Sequence, residues 1–327
     1  MLSALPLTTT PMPAQHHLTF ILLLFGCLTA LSVAAANLQL QRSSVDNELR
    51  FHYHWQQQGQ PVEFSFQLPK QSMQQHLRAY RRYSPALANT YMRQALQRAR
   101  AQQATSGFEI RLPSSGFPLP LTVEGTDTSE ARALQHALTQ QMLEARQRYL
   151  SSIYHTEQRL QPGRQVIMVD HPRIVQESLQ DLLPVASALQ QKFPYTTSRE
   201  LSQFLLDWLQ RIPYQRQDDR SQSSGSGYLP PLQVIQQHRG DCDSKVVLMA
   251  ALLRLLLPDL ELAIVYLPEH AVLAIAMSAT PEDQQVQLQG RRFVLADPTG
   301  PALLSVGQVA ARYQLYLQPG TVNYRLL

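Results

Sequence analysis

Cysteine is scarce in this sequence, and its scarcity directs attention to one residue. The 327 residues include two cysteines, Cys27 and Cys242. If the apolar segment around Cys27 is removed on export, Cys242 has no disulfide partner in its own chain, which excludes a disulfide-stabilised framework. An unpaired thiol in an oxidising compartment is a liability unless it is buried or used in chemistry. The role of Cys242 is therefore the first question that the sequence poses.

Charged side chains are also few, and lysine is almost absent. The formal net charge is +4 at pH 7, and the lysines are Lys70, Lys192 and Lys245. So small a surplus over a chain of this length does not favour nucleic acid as a partner. Apolar residues make up 44% of the chain. This is enough for one large or two ordinary domains with buried cores, and it excludes disorder throughout.

Residues 1–36 contain no Asp, Glu, Lys or Arg, and their second half is an apolar run that ends in three alanines. We interpret this segment as a signal peptide or a membrane anchor. Cleavage after the alanines would start the mature chain at Asn37. Because the run is nearly long enough to span a bilayer and no Lys or Arg precedes it, an uncleaved inner-membrane anchor and lipidation at Cys27 stay open as alternatives. In each case we expect the rest of the protein to be periplasmic or secreted, with membrane association through this segment if it is retained.

Residues 37–195 are interpreted as an α+β amino-terminal region whose role the sequence does not reveal. Apolar and polar residues alternate from 37 to about 67, which predicts a small antiparallel unit with a hairpin. Helical spacing then alternates with short strand patterns. These patterns predict helices over 70–105 (interrupted at Ser84-Pro85), 129–160 and 172–192 (with a stall at Pro184), and strands near 108–123 and 166–169.

Residues 196–327 form the second predicted domain. Thr197 to Arg211 has the clearest amphipathic helix pattern, and a polar loop and a short helix then lead to Cys242. An apolar helix over 246–257 ends at Pro258-Asp259, and four strands are predicted after it. We therefore expect an α+β fold in which a helix packs on an antiparallel sheet, preceded by the mixed amino-terminal region.

The candidate reactive residues lie in this second domain. Gly240 permits a tight turn and Asp241 is a good helix N-cap, which places Cys242 in the first helical turn. Unpaired backbone N–H groups and the helix dipole favour a thiolate at that position. His270, between two apolar strands, is a candidate base, and Asp297, at the end of another strand, is a candidate partner for its imidazole. Taken singly, each residue has an ordinary structural interpretation; their order along the chain gives them weight.

The ordered set resembles the transglutaminase-like superfamily, and in particular bacterial transglutaminase-like cysteine peptidases. The residues that carry the resemblance are Gly240-Asp241-Cys242 before an apolar helix, His270-Ala271-Val272 at the start of a strand, and Asp297-Pro298-Thr299 at the end of another. The resemblance covers about residues 197–300. It implies a papain-like, transglutaminase-like core and a Cys-His-Asp triad of Cys242, His270 and Asp297, which attacks an amide carbonyl and forms a thioester intermediate.

Other candidate sites have less support. Gln236 precedes Cys242 by the spacing that papain-like enzymes use for an oxyanion donor, but glutamine is abundant here, and the backbone N–H of Cys242 is an alternative donor. His52 and His54 share one face of a predicted strand, as a metal pair would, without an evident third ligand. Asp218 and Asp219 lack the spacing of a calcium loop. We therefore predict no metal and no cofactor.

Three functions remain open on the sequence. The first is an exported cysteine peptidase or amidase that acts on a protein or peptide of the cell envelope, with water as the acyl acceptor. The second is a true transglutaminase that transfers a glutamine acyl group to an amine. The third is a non-catalytic binding module that keeps the fold for partner recognition.

Overall fold

The computed structural model describes residues 38–102, 107–112, 120–216, 228–318 and 322–327. The predicted signal peptide or anchor, residues 1–36, and most of the polar loop before Cys242 lie outside these ranges. Among the helices of the described ranges, none is both long enough and apolar enough to cross a membrane.

Helices and antiparallel sheets are mixed along the chain, which agrees with the predicted α+β class. The strands are β1 (Gln39–Val45), β2 (Glu48–Gln57), β3 (Gln60–Pro69), β4 (Phe108–Arg111), β5 (Thr122–Gly125), β6 (His155–Leu160), β7 (Arg164–Val169), β8 (Leu262–Leu267), β9 (His270–Ile275), β10 (Gln285–Leu288), β11 (Arg291–Ala296) and β12 (Asn323–Leu326). The helices are α1 (Lys70–Gln75), α2 (Pro85–Gln102), α3 (Thr128–Ser152), α4 (His171–Lys192), α5 (Ser198–Arg211), α6 (Pro231–Gln237) and α7 (Cys242–Leu256), with a 3₁₀ helix at Ala311–Leu317.

Strands β1, β2 and β3 form the antiparallel unit predicted from the alternating pattern. The aromatic residues of β2 (Phe51, Tyr53 and Trp55) are buried, because alternate side chains of a strand share one face. That face packs on α5, where Trp208 contacts Tyr53 edge to face. The Trp55 indole also donates to Asp207 of α5 over 2.6 Å. The hairpin is therefore attached to the helix that precedes the reactive segment.

The second sheet carries the candidate site. Its strand order is β10-β11-β9-β8-β12, and every neighbouring pair is antiparallel. Helix α7 packs on one face, against β9, and α4 and α5 pack against α7 in turn. Nearly every side chain of α7 from Ser244 to Leu253 is buried because the helix is surrounded by these elements. The main cluster of buried apolar side chains accordingly extends from Phe51 to Val306.

Three helix predictions were wrong in detail. The break expected at Ser84-Pro85 is longer, since α1 ends at Gln75 and residues 76–84 are not helical. The helix predicted to run to Leu160 ends at Ser152, and residues 155–160 form β6, which pairs with β7. The φ of 61° at Tyr154 is incompatible with a continuing helix. The Pro162-Gly163 turn then allows residues 155–160 to pair with β7 as a hairpin instead. The stall expected at Pro184 is absent, since α4 continues through it. The 3₁₀ helix and β12 were not predicted.

Candidate functional site

The start of α7 holds Cys242 in a fixed turn. Asp241 is the N-cap predicted from the sequence, and its carboxylate accepts bonds from the Ser244 backbone N–H (3.0 Å) and hydroxyl (2.5 Å). Gly240 is tied to the segment after α5, donating to the Pro213 carbonyl and accepting from the Gln215 N–H. A Cβ on Gly240 would lie 3.3 Å from the Lys245 side chain. The small residue and the cap together set where the helix begins.

His270 and Asp297 are brought together by the pairing of their strands. His270 is the first residue of β9, and Asp297 follows the last residue of β11, the strand next to β9. His270 Nε2 lies 2.8 Å from Asp297 Oδ2, and Asp297 Oδ1 accepts from the Thr299 backbone N–H over 3.1 Å. Burial raises the pKa of Asp297, but the bonds from His270 and Thr299 outweigh it and hold the pKa below its ordinary value. The pair is therefore poised as a carboxylate beside an imidazole.

Tyr313 packs against the imidazole of His270 and was not among the predicted site residues. This residue of the 3₁₀ helix stacks on the His270 ring with centroids 4.8 Å apart and planes 10° from parallel. Arg312 covers the same tyrosine at 4.7 Å and donates to its hydroxyl. A stacked ring on one side and a carboxylate at one nitrogen restrict the imidazole to one orientation.

The sulfur of Cys242 is half-buried and faces a carboxylate. Its polar contacts are with Asp243 Oδ1, at 3.5 Å, and with the backbone N–H of Ala271, the residue after His270. Among the described residues, no hydrogen bond joins this sulfur to the His270 ring. The structure therefore pairs His270 with Asp297, and it brings Cys242 to the start of β9 without a direct bond to the imidazole.

Burial raises the pKa of the Cys242 thiol well above its ordinary value, and Asp243 and Asp241 raise it further. The lowered pKa expected from the helix start was wrong for this arrangement. That expectation rested on the backbone N–H groups and the dipole of the helix, and two carboxylates oppose both. Asp241 turns to the backbone as a cap, but Asp243 turns to the sulfur. Burial and the two carboxylates therefore favour the protonated thiol.

A second histidine reaches this cluster from the amino-terminal region. His171, the first residue of α4, is wholly buried; its Nδ1 lies 2.9 Å from the Tyr266 hydroxyl and its Nε2 lies 3.8 Å from Asp243 Oδ2. Burial lowers the pKa of His171 to about 3, despite the nearby carboxylate of Asp170. Sequence analysis did not single out His171, because nothing local marks a helix-start histidine as part of a site formed by distant strands.

The remaining candidates have other contacts. Gln236 is exposed on α6, and its carbonyl accepts from Arg42 over 2.6 Å. His52 contacts the Ser65 hydroxyl across β2 and β3. In the described ranges, no group of three or more His, Cys, Asp or Glu side chains is placed to hold a metal ion. Asp218 and Asp219 fall outside those ranges.

A cleft of about 630 Å³ lies next to the start of β9; Glu269 lines it, whereas Cys242, His270 and Asp297 do not. One wall is the β8–β9 turn, with Tyr266 and Glu269 on either side of Leu267-Pro268; Glu269 precedes His270 directly. The opposite walls are the β6–β7 turn and the 3₁₀ helix, where Leu315 and Tyr316 are exposed. Two of these walls also carry His270 or its stacking partner. The cleft therefore adjoins the histidine side of the site.

Comparison of the chain with protein-family models, with curated proteins and with solved structures found no match.

Proposed function

We propose that this chain is an exported cysteine peptidase or amidase of transglutaminase-like type, with Cys242 as nucleophile, His270 as base and Asp297 as the residue that orients the base. The observation that carries the proposal is the 2.8 Å bond between His270 Nε2 and Asp297 Oδ2 beside the helix that starts at Cys242. The helix packed on an antiparallel sheet supports a papain-like arrangement of the three groups.

In this proposal the two imidazole nitrogens have different tasks. Because Nε2 is held by Asp297, Nδ1 is the nitrogen that is left to accept the thiol proton. With a protonated resting thiol, this transfer accompanies attack: the S–H bond breaks, a C–S bond forms at the carbonyl carbon, and Asp297 stabilises the imidazolium. The backbone N–H of Cys242, unpaired at a helix start, is a donor for the oxyanion.

Collapse of the tetrahedral species then breaks the C–N bond. The imidazolium returns its proton to the leaving amine, and a thioester remains on Cys242. Water, deprotonated by His270, hydrolyses that thioester and restores the thiol. The cleft beside His270 supports a peptide or protein substrate, since it combines exposed apolar side chains at Leu315 and Tyr316 with charges of both signs at Arg164 and Glu269.

One observation favours a second candidate, a non-catalytic binding module. Asp243 Oδ1 faces the sulfur at 3.5 Å, and the carboxylate disfavours the thiolate that covalent catalysis needs. In that case the same cleft would hold a partner without any covalent step.

Thioester trapping tests the proposal. The purified protein is incubated with cell-envelope extract and quenched in acid, and the peptide containing Cys242 is searched by mass spectrometry for an acyl adduct that hydroxylamine removes. Cys242→Ala is the control for adducts elsewhere, and His270→Ala should reduce the adduct strongly. An adduct of equal yield in His270→Ala, or no adduct in wild type while a partner is retained, contradicts the catalytic proposal and favours the binding module.

A further inference from the structure

Lys245 is a buried cation that the mechanism above does not use. It lies on α7, three residues after Cys242, and its exposed fraction is 0%. Its ammonium donates to two backbone carbonyls, those of Ile212 and Thr299, each over 2.5 Å. Ile212 ends the segment from α5, and Thr299 belongs to the turn that follows β11. One side chain thus joins the cysteine helix to the two loops that border the site.

The Thr299 bond acts on the turn that presents Asp297. That turn is held from the other side by Gln210 of α5, whose amide donates to the Asp297 carbonyl (2.7 Å) and to the Leu304 carbonyl (3.0 Å). Gly300 has a φ of 68°, and a Cβ at this position would lie 2.0 Å from the Gln210 carbonyl oxygen. Only glycine therefore allows the turn to approach the backbone of α5 this closely. Gln210 and Lys245 therefore fix the Asp297 turn from two helices.

Lys245 differs from Gln210 in carrying a charge. The charged and titratable groups that face it are Asp241 and Cys242 on its own helix, Asp297 after β11, and His238 at the end of α6. Burial lowers the pKa of Lys245 to about 7, against the opposing effect of Asp297, Asp241 and Cys242. A buried ammonium is costly, and an apolar side chain of similar volume often packs as well or better. Holding the Asp297 turn in place does not by itself require a charge, because Gln210 also holds it and has an uncharged amide.

We propose that Lys245 is a positioning residue of the reactive centre, which fixes the Asp297 turn against the cysteine helix and supplies the positive charge that offsets the carboxylates around Cys242. The inference rests on the proposed function, because it assumes that the thiol must ionise during attack. Without this cation, the thiolate would form beside Asp241, Asp243 and Asp297, and no buried positive charge would offset their repulsion. The pKa of the thiol would then be higher.

The test is the pH dependence of iodoacetamide alkylation at Cys242, followed by peptide mass spectrometry because Cys27 also carries a thiol. Wild type is compared with Lys245→Met and with Gln210→Met, which loosens the same turn without changing charge. We expect Lys245→Met to slow the reaction by about tenfold near pH 6, where the ammonium carries its charge, the effect of one pKa unit. Because the pKa of Lys245 is about 7, the wild-type and Lys245→Met rates should converge at pH 8 and above. Gln210→Met should leave the curve in place. Superimposable curves for wild type and Lys245→Met would overturn the charge role.

Folding is checked by near-UV circular dichroism, with Lys245→Gln as a second variant that keeps a donor. If both Lys245 variants fail to fold while Gln210→Met folds, the lysine is a stability residue and the proposal is wrong. Alkylation needs no substrate, so the result is independent of thioester trapping. If the alkylation curve of Lys245→Met shifts but wild type forms no thioester, the charge role of Lys245 stands and the proposed function is wrong. If wild type forms a thioester but the curve does not shift, only the Lys245 proposal is wrong.

Discussion

Two histidines from different regions of the chain lie near Cys242 and its neighbour Asp243, and their surroundings differ. His270, in the carboxy-terminal region, has a carboxylate 2.8 Å from Nε2 and a tyrosine stacked on its ring. His171, from the amino-terminal region, has a tyrosine hydroxyl 2.9 Å from Nδ1, and the carboxylate oxygen of Asp243 lies 3.8 Å from Nε2, beyond hydrogen-bond length. Both imidazoles are well buried. The two rings differ in their hydrogen-bond partner, which is a carboxylate at His270 and a hydroxyl at His171.

That difference determines which ring can carry a proton. An imidazolium at His270 would be neutralised by Asp297, whose own pKa is held low by that contact. Burial disfavours an imidazolium at His171 by more than the carboxylate of Asp170 stabilises it, so its pKa falls to about 3. The amino-terminal region therefore supplies a neutral, rigid group, and the carboxy-terminal region supplies the group suited to acid and base chemistry.

Replacing each histidine by phenylalanine should separate these roles with the largest effect. We expect His270→Phe to slow thioester formation by about 10²- to 10⁴-fold, the usual contribution of a general base. His171→Phe retains an aromatic ring in the same space and should slow it by less than about tenfold. The measurement is the initial rate of adduct formation on Cys242. Equal losses in two folded variants would show that the amino-terminal histidine takes part in chemistry.

The aspartate should matter less than the cysteine. Asp297→Ala removes the group that orients and stabilises the imidazole but leaves nucleophile and base in place, so we expect a loss of about 10²-fold in the rate of adduct formation, within the range of general-base effects. Cys242→Ala should abolish the adduct. Because Asp297 also accepts from Thr299, Thr299→Val, which keeps that backbone N–H, is the control for disturbance of the turn. A complete loss in a folded Asp297→Ala protein would indicate a further role for the carboxylate.

His171 should also make the protein sensitive to acid. Its folded pKa of about 3 lies below the unfolded value of 6.5, so the unfolded chain binds the proton more readily. This contribution to stability is complete above pH 6.5 and is lost as pH falls toward 3. Between pH 6.5 and pH 5 the loss is about 2 kcal/mol. Urea unfolding at the two pH values should show a smaller difference for His171→Phe than for wild type, and an unchanged difference would mean that His171 has an ordinary pKa.

Local signals in the sequence were sufficient for much of the fold and for the pairing of His270 with Asp297. Alternation in β2, the Asp241 cap and the apolar run of α7 are properties of neighbouring residues, and each appears where the pattern placed it. The end of α3 was misplaced because helical spacing and a hairpin turn compete at Tyr154, and the turn prevails.

Residues that act through distant contacts could not be found in this way. Tyr313 stacks on His270 across 43 positions of sequence, and His171 meets Asp243 across 72. Neither lies in a recognisable pattern, and both depend on how the sheet and α4 pack. The direction of the Asp243 side chain was equally hidden, because a residue type at a helix start does not specify its rotamer.

Asp243 gives the smallest expected effect. Its Oδ1 lies 3.5 Å from the Cys242 sulfur, and its negative charge disfavours the thiolate. Asp243→Asn keeps the shape and removes the charge, so the pKa of the thiol should fall and alkylation at pH 8 should become faster, by about tenfold for each pKa unit. Asp259→Asn is the matched control, since it makes the same charge change at an exposed position beyond the other end of α7. Faster alkylation in Asp243→Asn alone would show that the carboxylate, as well as burial, keeps the resting thiol protonated. An unchanged rate would mean that Asp243 turns to solvent in solution. Burial alone would then explain why the pKa of this thiol is raised although it lies at the start of a helix.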